Sequence, residues 1–285
     1  MTKIVGIIGD PIAHTLSPPM HNAAFKALGL DWVYVPVQVR PEELGTALRG
    51  IRAMGWAGIN VTIPHKHRVI RWLDRVSREA RLIGAVNTVV RERRALVGHN
   101  TDGRGFVRAL REETRFDPRG KRIVILGAGG AARGIAVALV LSGARELTVL
   151  NRTPSKAAAL GRRLRGVSGK TLVAAGPLST RTLGAAFASA DLVVNATAVG
   201  MDGSAHRGLP IRVLPSHAVV SDIVYRPCRT PLLEAAAKHG LRTQGGLGML
   251  LYQGAEAFTL WTGRPAPIDV MRRALRRALA RNGRT

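Results

Sequence analysis

The chain has 285 residues, 46% hydrophobic and 21% charged, a globular balance that excludes a disordered or fibrous chain. At roughly 100–200 residues per domain, the length suggests about two domains. Lys and Arg number 43 against 18 Asp and Glu, a formal net charge of +25, which attracts anions generally. Aromatic residues make up only 4%, poor provision for stacking on single-stranded nucleic acid.

In chain order, short β-rich runs alternate with longer helical periods, the pattern of βαβ units and a mostly parallel sheet. Strands are expected at residues 4–8, 32–37, 58–61, 122–126, 147–150, 192–194 and 218–223. Helices are expected at 19–28, 41–54, 103–115, 130–142, 154–164 and 231–239. Several open on proline, whose missing N–H is harmless in a first turn, with Thr153 and Thr230 placed as N-caps. Arg71, Arg75, Arg78 and Arg81 fall at helix-face spacing, as do Arg104, Arg108, Arg111 and Arg115. A break near residues 102–120 divides the chain, and a second α/β unit runs to about 245. The last stretch has only helical periodicity. In 270–281, Val270, Met271, Ala274, Leu275, Ala278 and Leu279 form an apolar stripe, with Arg272, Arg273, Arg276 and Arg277 off it.

No uncharged apolar run reaches the length of a membrane span. Residues 1–9 read as a buried strand rather than a signal peptide, so a cytoplasmic protein is expected. The single Cys228 cannot form an intrachain disulfide. His65 and His67 stand close, but no Cys or carboxylate cluster accompanies them, so no metal site is expected. His14 and His21 are expected to shape the first loop and helix start.

The strand at 122–126 runs into Gly127-Ala128-Gly129-Gly130-Ala131-Ala132. This is G-x-G-x-x-A between a strand and a helix, the context that gives a dinucleotide fingerprint its meaning. Gly127 permits the tight turn, Gly129 lets the backbone approach a pyrophosphate, and Ala132 allows close helix–strand packing. The next strand ends at Asn151-Arg152-Thr153. An NAD site usually carries an Asp or Glu there for the ribose 2′-hydroxyl. Here Arg152, with Thr153, Ser155 and Lys156 nearby, suits a 2′-phosphate, and NADP is expected over NAD.

The first half carries four polar clusters: residues 9–22 with Thr15 and Ser17, 58–66 with Asn60, Thr62 and Lys66, 84–88 with Asn87, and 98–103 with Asn100, Thr101 and Asp102. Ser17 also reads as an ordinary N-cap. The segments 9–22, 58–66, 84–88, 100–105, 127–133, 151–153, 195–201, 222–233 and 248–263 together resemble the shikimate dehydrogenase family nearly end to end. The resemblance implies reversible NADPH-dependent reduction of 3-dehydroshikimate to shikimate in chorismate and aromatic amino-acid biosynthesis.

It also implies an α/β protein of two domains. The last helices would return to the first, so that residues 1–103 and 246–285 form the substrate domain and 104–245 a Rossmann NADP domain. Lys66 and Asp102 would be the catalytic pair. Thr15 and Ser17 would hold the substrate carboxylate, with Tyr225 near it. Asn60, Thr62, Asn87 and Gln253 would hold ring hydroxyls or the carboxylate. The cofactor would meet Gly127, Ala128, Gly129, Gly130 and Ala131, with Asn151, Arg152, Thr153 and Lys156 around the adenosine phosphate. Ala196, Thr197 and Met249 would lie along the nicotinamide side, with Ile223 and Gly246 also on the cofactor. The family usually has Ser where this chain has Thr15. The added methyl keeps quinate, or dual quinate and shikimate use, as the alternative. The expected partner is a small-molecule substrate, not a specific nucleic acid or a membrane, with a homodimer as the candidate assembly.

Overall fold

The computed structural model describes residues 1–13, 15–167, 169–206 and 208–282; His14 lies outside them. The chain divides into two compact units, residues 1–105 with 251–285, and residues 106–250.

The first unit contains β1 (Lys3–Gly9), α1 (Ser17–Ala27), β2 (Trp32–Gln38), α2 (Leu44–Ala53), β3 (Gly58–Val61), a 3₁₀ turn (Arg68–Trp72), β4 (Arg75–Val76), α3 (Arg78–Ile83), β5 (Thr88–Glu92) and β6 (Ala95–His99), followed by the start of α4 (Asp102–Thr114). Its sheet runs β2-β1-β3-β5-β6-β4. β1 lies parallel to β2 and β3, but β5 is antiparallel to both β3 and β6. β4 is parallel to β6, so the sheet is mostly parallel as expected, with β5 the one strand antiparallel to its neighbours. The β5–β6 hairpin gave no turn signal because Arg93, at φ 57, stands where Gly or Asn is usual.

The expected helical face through Arg71 and Arg75 does not exist. Arg71 lies in the 3₁₀ turn and Arg75 in β4, and only Arg78 and Arg81 are in α3. On α4 the spacing is realised. Arg104, Arg108 and Arg111 pair with Glu79, Glu112 and Asp117, solvated contacts worth roughly 0–1 kcal/mol each. Arg115 lies past the helix end, at φ 54.

The second unit contains β7 (Arg122–Leu126), α5 (Gly130–Leu141), β8 (Glu146–Asn151), α6 (Pro154–Arg165), β9 (Leu172–Pro177), α7 (Thr180–Phe187), β10 (Leu192–Asn195), β11 (Val219–Asp222), α8 (Pro231–Lys238) and β12 (Arg242–Gln244). The sheet is wholly parallel in the order β12-β11-β10-β7-β8-β9. This is the doubly wound order with its switch point between β7 and β10, the crevice in which such sheets bind nucleotides. Val124, Leu126, Phe187, Val193, Val220 and Leu233 fill one face. Thr230 caps α8, its side chain accepting from the Leu233 amide, whereas Thr153 makes no side-chain cap on α6.

The chain returns to the first unit within α9 (Gly246–Thr262) and ends in α10 (Ile268–Asn282), which packs on α1. Met271 and Leu275 are buried there, and Arg273, Arg276 and Arg277 are exposed. Arg272 departs from the expected polar face: it is half-buried and donates to the Tyr252 hydroxyl. Among the described residues no helix is long and apolar enough to cross a membrane.

Candidate active site

In the first unit, the polar clusters lie where strands end. Lys66 sits in the turn after β3. Its carbonyl accepts from the Val86 amide at 2.8 Å, and the His65 amide donates to Thr62 O at 2.8 Å. The two flanking imidazoles hold the same loop: His65 Nε2 bonds Val39 O at 2.7 Å, and His67 Nδ1 bonds Gly84 O at 2.8 Å. They address different carbonyls, which makes them loop anchors.

So fixed, Lys66 extends its ammonium to Asp102, the first residue of α4, with Nζ 2.5 Å from Oδ2. The Asp102 side chain is 5% exposed and that of Lys66 14%. Burying two charges costs several kcal/mol per ion, so such a pair persists only when further hydrogen bonds complete it. They are present. Asn87 Nδ2 donates to Asp102 Oδ1 at 2.8 Å, and the Asp102 amide donates to Asn100 Oδ1 at 3.1 Å.

Asn87 is the hub of the site. Its Nδ2 also donates to Thr101 Oγ1 at 2.9 Å and lies 3.4 Å from Gln253 Oε1. Its Oδ1 accepts from the Thr101 amide at 2.8 Å and from Thr88 Oγ1 at 3.0 Å. Gln253 reaches this point because α9 passes close to α4; a Cβ at Gly105 would run into the Gln253 backbone. Asn60 is buried, and its Nδ2 donates to Asn87 O at 3.1 Å and Thr88 Oγ1 at 3.0 Å. The structure thus brings Lys66, Asp102, Asn87, Asn60 and Gln253 into one network, and Thr62 stands on the same loop as Lys66.

Thr15 and Ser17 lie at the start of α1. Ser17 is the first helical residue rather than the cap, Leu16 taking that place. Thr15 Oγ1 accepts from the Ser17 amide at 3.3 Å. His21 lies in α1 near the helix start, as expected from sequence, but its ring is fully buried, stacked on the Tyr34 ring at 4.5 Å with 5° between planes. Burial lowers its pKa to about 3.

In the second unit, Gly127 has φ 112, and a Cβ there would meet Ala196 O at 2.8 Å. At Gly129 a Cβ would look onto open space. That open glycine backbone, leading into the N-terminus of α5, is a cradle for a pyrophosphate. Arg152, Thr153 and Lys156 are exposed after β8, with Asn151 Nδ2 holding Thr153 O at 2.9 Å. The donor set fits a phosphorylated dinucleotide.

After β10, Ala196 is buried and Thr197 Oγ1 donates to Asn195 Oδ1 at 2.7 Å. Ile223 N donates to Asn195 O, and Gly246 N to Val224 O. Met249 is buried on α9. Tyr225, half-buried in the loop after β11, belongs to this unit, and burial raises its pKa.

Sequence reasoning passed over Tyr34 and gave no role to Thr88, Thr101, Asn195, His206 or Asp222. Asn195 Nδ2 donates to Asp222 Oδ1, His206 Nε2 lies 3.1 Å from Asn195 Oδ1, and burial raises the Asp222 pKa. The usable signal was a polar residue at the end of an apolar strand, as in Asn195 and Asp222. Tyr34, mid-strand in β2, gave none.

Family profiles match three stretches: the shikimate dehydrogenase substrate binding domain over residues 7–89, shikimate / quinate 5-dehydrogenase over 110–201, and the shikimate 5'-dehydrogenase C-terminal domain over 246–276. The chain is 49% identical over 280 residues to the shikimate dehydrogenase (NADP(+)) of Geobacter metallireducens, covering 98% of each. Solved structures of the same kind are similar as well. The shikimate 5-dehydrogenase of Listeria monocytogenes, in complex with shikimate and NAD, is 40% identical at a TM-score of 0.90, covering 96% of each chain. The shikimate 5-dehydrogenase of Thermus thermophilus, in complex with NADP(H) and shikimate, is 39% identical at a TM-score of 0.86, covering 98% of this chain and 100% of that one.

Proposed function

This chain belongs to the shikimate dehydrogenase family, and on that premise we propose that Lys66 and Asp102 are the residues with which it carries out the family's reaction. That reaction is the reversible NADPH-dependent reduction of 3-dehydroshikimate to shikimate, a step of chorismate and aromatic amino-acid biosynthesis. The carrying observation is the enclosed ammonium–carboxylate pair, 2.5 Å between Nζ and Oδ2, completed by Asn87.

Bound NADPH supplies the hydride, and NADP accepts it in reverse. As hydride reaches the ring carbonyl, negative charge grows on its oxygen. Lys66 supplies a positive charge and a proton at that oxygen. Asp102 holds the ammonium in place, and Asn87 holds Asp102 from the other side. In the oxidative direction the step runs in reverse: the pair with Lys66 as the neutral amine takes up the hydroxyl proton. Thr15 and Ser17 hold the carboxylate of the substrate, with Tyr225 near it. Asn60, Thr62, Asn87 and Gln253 hold ring hydroxyls or the carboxylate. Asn60 spends its amide N–H groups internally, so it offers a ligand hydroxyl chiefly the remaining lone pair of Oδ1.

On the cofactor, Gly127, Ala128, Gly129, Gly130 and Ala131 would hold the pyrophosphate. Arg152, with Asn151, Thr153 and Lys156, would hold the 2′-phosphate. Ala196, Thr197, Ile223, Gly246 and Met249 would lie about the nicotinamide. The proposal places the enzyme in the cytoplasm, without a nucleic-acid or membrane partner.

The test is a coupled absorbance assay with shikimate and NADP at alkaline pH. NADPH formation is expected. Tight NADP binding without turnover would instead mark a binding protein that has kept the fold and lost the reaction.

A further inference from the structure

Tyr34 has no assigned role, yet its backbone, its ring and its hydroxyl are all held. It sits on β2 opposite Val5, 1% exposed. Asn22 on α1 clamps both of its backbone groups: Asn22 Nδ2 donates to Tyr34 O at 3.0 Å, and Tyr34 N donates to Asn22 Oδ1 at 2.8 Å. The ring is clamped too, stacked on His21 at 4.5 Å and tilted against Trp261 at 6.0 Å. His21 itself finds no hydrogen-bond partner for either ring nitrogen among the described residues, so its contribution here is a flat neutral face. Trp261 is fixed in turn by its indole N–H, which donates to Val89 O at 3.0 Å.

Backbone and ring together fix where the phenol oxygen lies. It reaches past β1 to Asn60 on β3, donating to Oδ1 at 2.8 Å. The Asn60 amide cannot turn over, because its Nδ2 faces a backbone carbonyl, Asn87 O. From there the donors run in one direction. Asn60 Nδ2 donates to Thr88 Oγ1, Thr88 Oγ1 to Asn87 Oδ1, and Asn87 Nδ2 to Asp102 Oδ1. Burial keeps the Tyr34 hydroxyl protonated far above the usual phenol range, with the Ser17 side chain beside it acting the other way. The phenol therefore stands between Ser17 and Asn60 as a permanent donor.

We infer that Tyr34 is a positioning residue for the substrate: its buried hydroxyl holds Asn60 in the pose in which Asn60 meets the ring. This rests on the reading of the site as a shikimate site. The fixed hydroxyl restrains the buried Asn60 side chain from the side opposite its Asn87 and Thr88 contacts. Without it, Asn60 Oδ1 loses its donor and the side chain is free to drift by the few tenths of an ångström that ligand holding does not tolerate.

The test is Tyr34→Phe, which keeps the ring, its stack and its volume. The expected result is a KM for shikimate raised about tenfold, kcat within threefold, and a KM for NADP within twofold of the parent. In an Asn60→Ala background the same change should raise the shikimate KM by less than twofold further, since a residue acting through Asn60 has nothing left to position. An unchanged shikimate KM in Tyr34→Phe overturns the inference. So does a tenfold further effect in the Asn60→Ala background, or a parallel loss in both KM values and in melting temperature. Absence of shikimate turnover in the parent protein would defeat the functional reading instead, and is seen before any variant is made.

Discussion

Asn87 donates to one oxygen of Asp102 while Lys66 takes the other, so the carboxylate is bound at both ends by residues from two other segments of the chain. Truncating Asn87 leaves Asp102 Oδ1 without its amide donor. A hydrogen bond to a charged group contributes about 1.5–3 kcal/mol. Asn87→Ala is expected to lower kcat/KM for shikimate by about 10–100-fold, with the KM for NADP little changed. Steady-state kinetics with each substrate varied in turn checks this. An equal loss toward both would point to a general structural defect.

Thr15 adds a methyl where the family usually has Ser. A methylene in a binding site is worth about 1–3 kcal/mol of discrimination. Thr15→Ser should act through KM rather than kcat, because holding a carboxylate is largely uniform binding. The ratio of kcat/KM for shikimate to that for quinate should shift by about tenfold. A change confined to kcat would place Thr15 in the chemistry instead.

Arg152 is exposed just after β8, where a 2′-phosphate would sit. Arg152→Ala is expected to raise the KM for NADP by about 10–100-fold, the loss of one charge-assisted contact. The KM for NAD should stay within about twofold. Equal effects on the two coenzymes would remove Arg152 from phosphate recognition.

His21 predicts a pH dependence of stability. Its pKa in the folded protein is lowered to about 3 by burial, against about 6.5 when unfolded. Between those values the unfolded chain binds the extra proton, so folding stability falls as pH falls. The full contribution is present above about pH 6.5 and declines by about 1.4 kcal/mol per pH unit below it. His21→Phe should flatten the fall in melting temperature between pH 6.5 and 4. An unchanged slope in that variant would contradict the assignment.

The second unit was legible because its signals are local. The strand at 122–126, the glycine turn and Arg152 follow one another along a parallel sheet whose buried strands read as apolar runs. Three of the strands that went unread share a physical reason. β4 is two residues long, β12 is Arg242-Thr243-Gln244, and β9 is an edge strand with most of its residues exposed. None buries enough to leave an apolar run.

The site divides in the same way. Lys66 and Asp102 were named through family resemblance, since nothing in their spacing of 36 residues brings them together. Tyr34 could not be read at all. Its role depends on what β1 and β3 place beside it, and a tyrosine in a strand of Val and Trp looks like core. His21 reads from sequence as a first-turn helix residue, and nothing local shows that α1 turns its ring inward.

The ammonium of Lys66 must serve the reacting oxygen if the proposed chemistry holds. The direct measure is kcat for shikimate oxidation by Lys66→Ala, with folding checked by melting temperature and NADP binding. The predicted result is a loss of at least ~100-fold in kcat, the usual scale of acid–base catalysis, with NADP affinity intact. A folded Lys66→Ala enzyme that turns over shikimate at close to the parent kcat would contradict it.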